Sequence, residues 1–536
     1  MYALALVSGV LLLYACTVHH FRSNYKDVNE LLYETENLNN KPFLKAHLKN
    51  GDVCIMRDTW EVDTVRNVVV GKSVCYDYKR NFKPSDEQPI SIDEVLIFET
   101  NQQLKKTEIG RIAALTVLAV GNVVGAISCQ QNPKACFGSC PTFYINENDN
   151  FHYSNAEGFS NAILPSMEYG DIDALNNPPI SESIFSLMMK NEALETHCVN
   201  EVKLLAYPKA EGEKVYQSRD NNFYLCENKY TANQVLAPEG DITALVSEHD
   251  MYERFSSADE QNLNSRETIY LNFKDLRNTD DLGFIINFRQ TLMTTYFIYS
   301  MIGYMGDRVG DFAADMERNE KGAKMQMDGG GATKAKHSIL KELGDIDVYV
   351  WNEKNEIWEL QGGFHETGPI AFNHQILPLK THTEGGDLKL KIVLNKGLWR
   401  VDFLGLTNIK QQVEALEITP DNIQVEGCEN AEALAQVTTP DQYLISMPGD
   451  AYKFNFTLPE NHTDYELFLY SKGYYLEWMR ESWIKEKNLL KLVQMRTTPK
   501  MYLKAEAAAY KAYELDMEEQ FWNSKIDAKT FSYHEN

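Results

Sequence analysis

Leu388 to Leu404 reads LKLKIVLNKGLWRVDFL. Its first half alternates, with Leu388, Leu390, Ile392 and Leu394 on one parity. Period two is the repeat of a strand that buries one face. Asn395-Lys396-Gly397 is turn chemistry, since Asn and Gly accept the backbone angles a tight reversal needs. In the second half Trp399, Val401 and Phe403 share one parity, and Leu398, Arg400, Asp402 and Leu404 share the other. Only the first set is uniformly apolar. It is predicted to face the core, leaving Arg400 and Asp402 on the outer face or against a neighbouring helix.

The same rhythm extends in both directions. Thr268–Phe273, Gly283–Phe288, Ile346–Trp351, Ile357–Leu360 and Gln375–Leu379 alternate or run apolar, with turns at Asn352–Asn355 and Gly385-Gly386. These segments predict one antiparallel β-sandwich over residues 265–425. Gln290–Arg318 has helical spacing instead, and Gly329-Gly330-Gly331 starts a flexible connection, so 290–340 is expected as a helical insertion. That helix must bury Tyr296, Phe297, Tyr299 and Met301 somewhere. The fold class expected is mainly β with helical insertions (α+β).

Outside the sandwich, residues 49–108 read as a small antiparallel β-unit. Ile109–Cys129 is apolar for nearly a membrane span but rich in Gly and Ala, so a buried helix is favoured over a span. Residues 130–264 form a Cys-containing α+β region. Within it, Pro141–Ile145 and Phe151–Tyr153 are expected as a hairpin with Asn146–Asn150 as its turn, and Val202–Tyr207 and Asn222–Cys226 as strands. Residues 426–536 supply strands on both sides of Pro448-Gly449-Asp450, another at Tyr465–Tyr470, and helices over Tyr474–Leu490 and Tyr502–Trp522 separated by Pro499.

The N-terminus speaks about location. Tyr2–Ala15 is a short apolar run, too short to span a bilayer and fitting the core of a signal peptide. Leu13-Tyr14-Ala15-Cys16 resembles a bacterial lipobox, with Cys16 as the acylated residue. Tyr14 is bulkier than usual there, and no Lys or Arg precedes the run. Residues 17–48 then form a polar tether. The expected location is the cell envelope, with the chain lipid-anchored to a membrane and facing the periplasm or exterior. The chain carries 77 acids against 52 bases, a net charge of −25. That balance disfavours nucleic acid as a partner and a basic patch on anionic lipid.

Nine cysteines are present; setting Cys16 aside leaves eight, enough for up to four disulfides in an oxidising compartment. Cys54 and Cys75 lie on successive strand-like segments, DVCIMRD and KSVCYDY, so a cross-strand bridge is expected. Cys136 and Cys140 in KACFGSCPTFY read as a structural bridge or buried thiols ahead of a redox or metal pair.

No phosphate-binding loop, dinucleotide fingerprint, GxSxG or HExxH motif occurs, and no cofactor or metal is expected. Glu157, Glu168, Asp171 and Asp173 are the best-placed acids for glycoside-type acid/base work, with helix caps and solvated turns the plainer reading. Ser160 has no identifiable base. His365, His374 and His382 are spaced irregularly for a metal. The aromatics of Gly473–Arg480 with Trp483, and those of a sheet face flanked by Trp351, Trp358 and Trp399, are of the kind that stack sugars, although core packing is the commoner use.

Taken together, ACFGSCPTFY, AEGFS, FRQTLMTTYFIYSMIGYMG, GLWRVDFLGL, PGDAYKFNF and YELFLYSKGYYLEWMRESW resemble a group of uncharacterised exported proteins of the Bacteroidota type. That resemblance implies export and no activity. The strands of 346–404 are similar in rhythm to galactose-binding-like jelly rolls, an analogy of fold alone. The function expected is a non-enzymatic envelope component that binds a ligand, such as carbohydrate, or a partner protein. The alternatives are an envelope carbohydrate hydrolase using acids near Glu157–Asp173, and a thiol or redox protein at Cys136 and Cys140. Loops at the sandwich ends, Gly362–Pro369 and Thr381–Gly386, are where a ligand is first sought.

Overall fold

In a computed structural model, the structure describes residues 20–25, 28–35, 41, 43–48, 53–56, 60–76, 82–83, 89–103, 141–147, 150–160, 162, 168–175, 183–192, 195–250, 252–277, 279–306, 339–365, 371–380, 386–440, 442–446, 450–459, 464–477 and 486–514. The apolar N-terminus with Cys16, the segment 109–129, Cys136, Cys140 and His382 lie outside these residues. Among the described residues no helix is long and apolar enough to cross a membrane. The protein is mainly β, with several antiparallel sheets and a few helices, most of them towards the C-terminus.

The first unit pairs His20–Tyr25, Val95–Gln103, Phe43–Leu48, Val53–Met56, Ser73–Tyr76 and Phe82–Lys83 in one sheet, beside a three-stranded one. Trp60, Met56, Val69 and Phe98 fill its core. Cys54 and Cys75 are directly opposite across an antiparallel pair, with Cα atoms 4.0 Å apart, and form the expected disulfide. Buried Cys198 and Cys226 and exposed Cys428 are in no disulfide, so the eight cysteines do not make four bridges.

Two sheets enclose the second core. One contains Asn150–Glu157, Thr142–Glu147, Ile184–Lys190 and Ala451–Thr457; the other, Tyr169–Leu175, Tyr465–Glu477 and Glu195–Pro208. The hairpin turn is tighter than expected. Asn146 pairs with Phe151 and Glu147 with Asn150, so most of the Asn-rich stretch belongs to the strands. The Tyr465 strand also runs further than expected. Tyr474 and Tyr475 pair with Cys198 and His197, where the sequence predicts helix, and both rings are buried. Thirteen residues of pairing with the Glu195 strand outweigh local helical spacing.

Two further sheets share the largest core. The outer one orders Gly240–Asp241, Gln234–Ala237, Arg266–Phe273, Leu388–Asn395, Ile346–Asn352 and Ile357–Phe364. The inner one orders Phe223–Thr231, Lys214–Gln217, Asn373–Pro378, Leu282–Gln290, Trp399–Val413 and Arg254–Phe255. Ile269, Leu271, Val348 and Ile392 from the outer sheet meet Phe284, Ile286, Phe288, Trp399 and Val401 from the inner one. The sandwich thus takes strands from as early as Lys214. Gly397 makes the turn between the two long strands at φ +83°, and a Cβ there would also strike Ala258.

The inner sheet closes on itself. The Phe223 strand pairs both with the Lys214 strand and with the Trp399 strand. The resulting ring encloses a small core of Tyr216, Cys226, Ile285, Ile376 and Phe403. This explains why the parity expected for 397–404 fails halfway. Trp399 and Val401 face the sandwich core, but the register shifts by one residue: Phe288 pairs with Val401 and Asn287 with Phe403. Asp402 is the extra residue of a β-bulge, which flips the faces beyond it. Leu404 and Leu406 therefore enter the sandwich core and Phe403 the ring. Asp402 is not on an exposed face; it is fully buried. Arg400 is half-buried, its guanidinium 4.1 Å from the centroid of the Phe255 ring.

The helix Met293–Met305 buries Phe297 and Tyr304 against Tyr502, Leu503, Ala507 and Tyr510 of the C-terminal helices. Buried Glu506 fixes the contact. It accepts from the Tyr296 hydroxyl at 2.7 Å and from Lys491 at 2.9 Å. Pro499 sits at the start of the helix Pro499–Ala505, where its missing N–H costs nothing.

Candidate binding face and buried polar clusters

The expected acids lie in the second core. Glu157 ends a strand of the first of its sheets and is 2% exposed, and Asp173 on the second is 5% exposed. Half-buried Asp171 accepts from the Tyr169 hydroxyl at 3.2 Å, and Glu168 accepts from the Tyr443 hydroxyl at 2.9 Å. Ser160 is buried and its backbone carbonyl accepts from the Tyr475 hydroxyl. The sequence reading missed their neighbours. Buried Tyr144 donates to both carboxylate oxygens of buried Glu192, at 2.8 and 2.7 Å. Burial, and then the Glu192 charge, hold the Tyr144 phenol far above its usual range. Fully buried Glu195 and His197 stand 3.1 Å apart. Packing of this kind supports a fixed interior network rather than an open cleft.

The histidines separate. His365 is exposed, with Nδ1 2.9 Å from Asp345. His374 is buried at one end of the ring and stacks edge-on against His249, with centroids 4.6 Å apart. His249 Nε2 lies 3.2 Å from Asp402. Burial, and then the nearby Lys214 and Lys229 ammonium groups, prevail over the Asp250 carboxylate, and His249 is held down at about 4. His374 is likewise held well below its usual value, by burial first and then by Lys214, His249 and Lys229. Both rings are neutral at pH 7. Neither His249 nor Asp402 stands out in the sequence, because the bulge that joins them has no periodic signature. Among the described residues no group of three or more His, Cys, Asp or Glu is placed to hold a metal ion.

The outer face of the outer sheet is different. Ile346, Val348 and Val350 point to the core, so Tyr349 and Trp351 point away from it. Trp351 pairs with Trp358, their centroids 5.3 Å apart, and Tyr270 lies 5.9 Å from Trp358. Lys391 sits among these rings, 4.8 Å from Tyr349 and 4.9 Å from Trp358. Tyr270 is 44% exposed and Leu360 60%. Beside them is a groove of about 590 Å³, lined by Tyr270, Thr268, Arg266, Ser265 and Lys396 among others. Core packing is thus right for Trp399 but wrong for Trp351 and Trp358. The signal was present: when one parity of a strand is purely aliphatic, aromatics on the other are left outside.

No family model and no curated protein matches the chain.

Proposed function

We propose that the protein is an exported, lipid-anchored component of a cell envelope that binds a ligand or partner through the open aromatic face of its outer sandwich sheet, with no chemistry of its own. The observation that carries this reading is the cluster of Tyr270, Tyr349, Trp351 and Trp358 on a sheet face that no other layer of the described residues covers. Large rings at a surface are where binding energy concentrates. The signal-like run ending at Cys16 and the resemblance to exported proteins support the location. The hydrolase reading gains less support, because Glu157 and Asp173 are buried and neither lines the groove. Cys136 and Cys140 lie outside the described residues, so the thiol reading rests on their spacing alone.

Two measurements test the proposal. Cys16→Ala should abolish labelling by a palmitate analogue and leave unprocessed precursor; unchanged labelling removes the anchor. Hydrogen exchange of the full chain, with and without envelope membranes from the cell that makes it, should slow within 266–273 and 346–360. Protection confined to other sheets, or none, removes the binding face.

A further inference from the structure

We infer that the ligand of this face is a neutral carbohydrate chain, lying over the aromatic cluster and continuing past Tyr270 into the groove; the inference rests on the binding reading above. Three features point to that chemistry. First, the surface is amphipathic at close quarters. Neighbouring rings meet at 53° and 60°, and a line of polar side chains runs beside them. Thr268, Tyr270 and Asn272 share the outward parity of the Arg266–Phe273 strand, and no other residue accepts from or donates to their side chains among the described residues. A sugar ring presents an apolar C–H face and a rim of hydroxyls, which is the complement of such a surface.

Second, the charges near the groove largely offset one another. Arg266 donates to Asp347 at 2.9 Å and to the carbonyl of Val393 at 2.8 Å. Glu267 is taken by buried Arg254, and Asp259 accepts from Ser265 and from two backbone amides. Lys391 is engaged by the rings. Lys391 and groove-lining Lys396 against Asp259 leave no more than one positive charge on the face, too little to select an anionic polymer against the net charge of −25. Third, the aromatic cluster and the groove meet at Tyr270, so the site is elongated rather than a closed pocket. An elongated, weakly charged, amphipathic site suits a chain of sugar rings better than a single small molecule.

Native gels cast with soluble starch, xylan, mannan or mixed-linkage β-glucan, with dextran sulfate as the anionic control, read this directly. The full chain should be retarded in at least one neutral gel and not by dextran sulfate. Trp358→Ala and Tyr270→Ala should each weaken that retardation about tenfold, the scale of an aromatic anchor. Thr268→Ala should weaken it less. Tyr33→Ala, exposed on the helix Val28–Thr35 of the first unit, should leave it unchanged. Unchanged melting temperatures for the variants exclude misfolding, and Trp358→Phe should restore part of the binding. No retardation in any neutral gel overturns the inference, as does retardation that survives Trp358→Ala and Tyr270→Ala. If exchange protection by envelope membranes still maps to this face while all neutral gels fail, the binding reading stands, the carbohydrate falls and a protein partner takes its place. If both fail, both readings fall.

Discussion

The two sheets of the sandwich share one core yet treat their outer faces in opposite ways. The inner sheet curls over and encloses its outer face, where Phe403, Ile285 and Ile376 make a second core and Asp402, His249 and His374 are trapped beside it. The outer sheet stays open and leaves Tyr270, Trp351 and Trp358 at the surface. One bulge makes much of the difference. By adding a residue at Asp402, the Trp399 strand sends Trp399 and Val401 into one core and Phe403 into the other. Large rings therefore take different places depending on the sheet that carries them: in a core in the inner sheet, and at the surface of the outer one, where the proposed function assigns them recognition.

The sharpest way to break that contrast is to remove one ring from each sheet. Trp399 is 2% exposed and packs 5.6 Å from Phe288. Trp399→Ala should lose about 3–5 kcal/mol, the cost of a large cavity in a packed core. Urea unfolding, followed by far-UV circular dichroism, measures it. A loss below about 1 kcal/mol would mean that the sandwich is not held by this ring.

Acid should find the buried end of the ring next. His249 titrates near 6.5 when unfolded and near 4 when folded, and His374 is depressed as well. The unfolded chain therefore binds protons that the folded one refuses. Stability is unaffected by these groups above about pH 7 and falls as pH drops from 6.5 towards 4, by about 3 kcal/mol for His249. The groups facing it are Lys214, Lys229, Asp250, Asp402 and His374. Urea midpoints of His249→Gln, measured against those of the wild type from pH 8 to pH 4, should show a shallower fall. Parallel curves would show that His249 is not buried in its neutral form. Asp402→Asn at pH 7 should cost about 1–3 kcal/mol, as a buried polar group does when its partners are left mismatched; a neutral result would place Asp402 back on the surface.

How far the sequence carried this contrast depends on range. Period-two segments such as Leu388–Leu394 and Ile346–Trp351 found the sandwich strands, because alternation is imposed residue by residue by one buried face. The Cys54–Cys75 bridge was legible for the same local reason: two short strands in succession pair in an obvious register. What failed was set at long range. The bulge at Asp402 depends on its neighbour Leu282–Gln290, more than a hundred residues away. The pairing that makes Tyr474 a strand residue comes from Cys198. The meeting of His249 with His374 needs the ring to close first. Of the catalytic candidates chosen by closeness in sequence, Glu157 and Asp173 are buried and Glu168 and Asp171 half-buried, whereas the open face draws on Tyr270 and Trp358, nearly ninety positions apart.

The smallest expected stability change completes the comparison. Trp358 lies on the terminal strand of the outer sheet, half-buried, touching Trp351, Tyr270 and Lys391 rather than the sandwich core. Its loss removes ring contacts and one cation–π interaction, together worth about 1 kcal/mol at a solvated site. Trp358→Ala should therefore unfold in urea within about 1 kcal/mol of the wild type, several-fold less than Trp399→Ala. The same variant should show the largest loss in the polysaccharide gels. A ring costly for binding and cheap for folding is the mark of a surface kept for a ligand; a Trp358→Ala penalty equal to that of Trp399→Ala would show instead that the outer cluster is a third core.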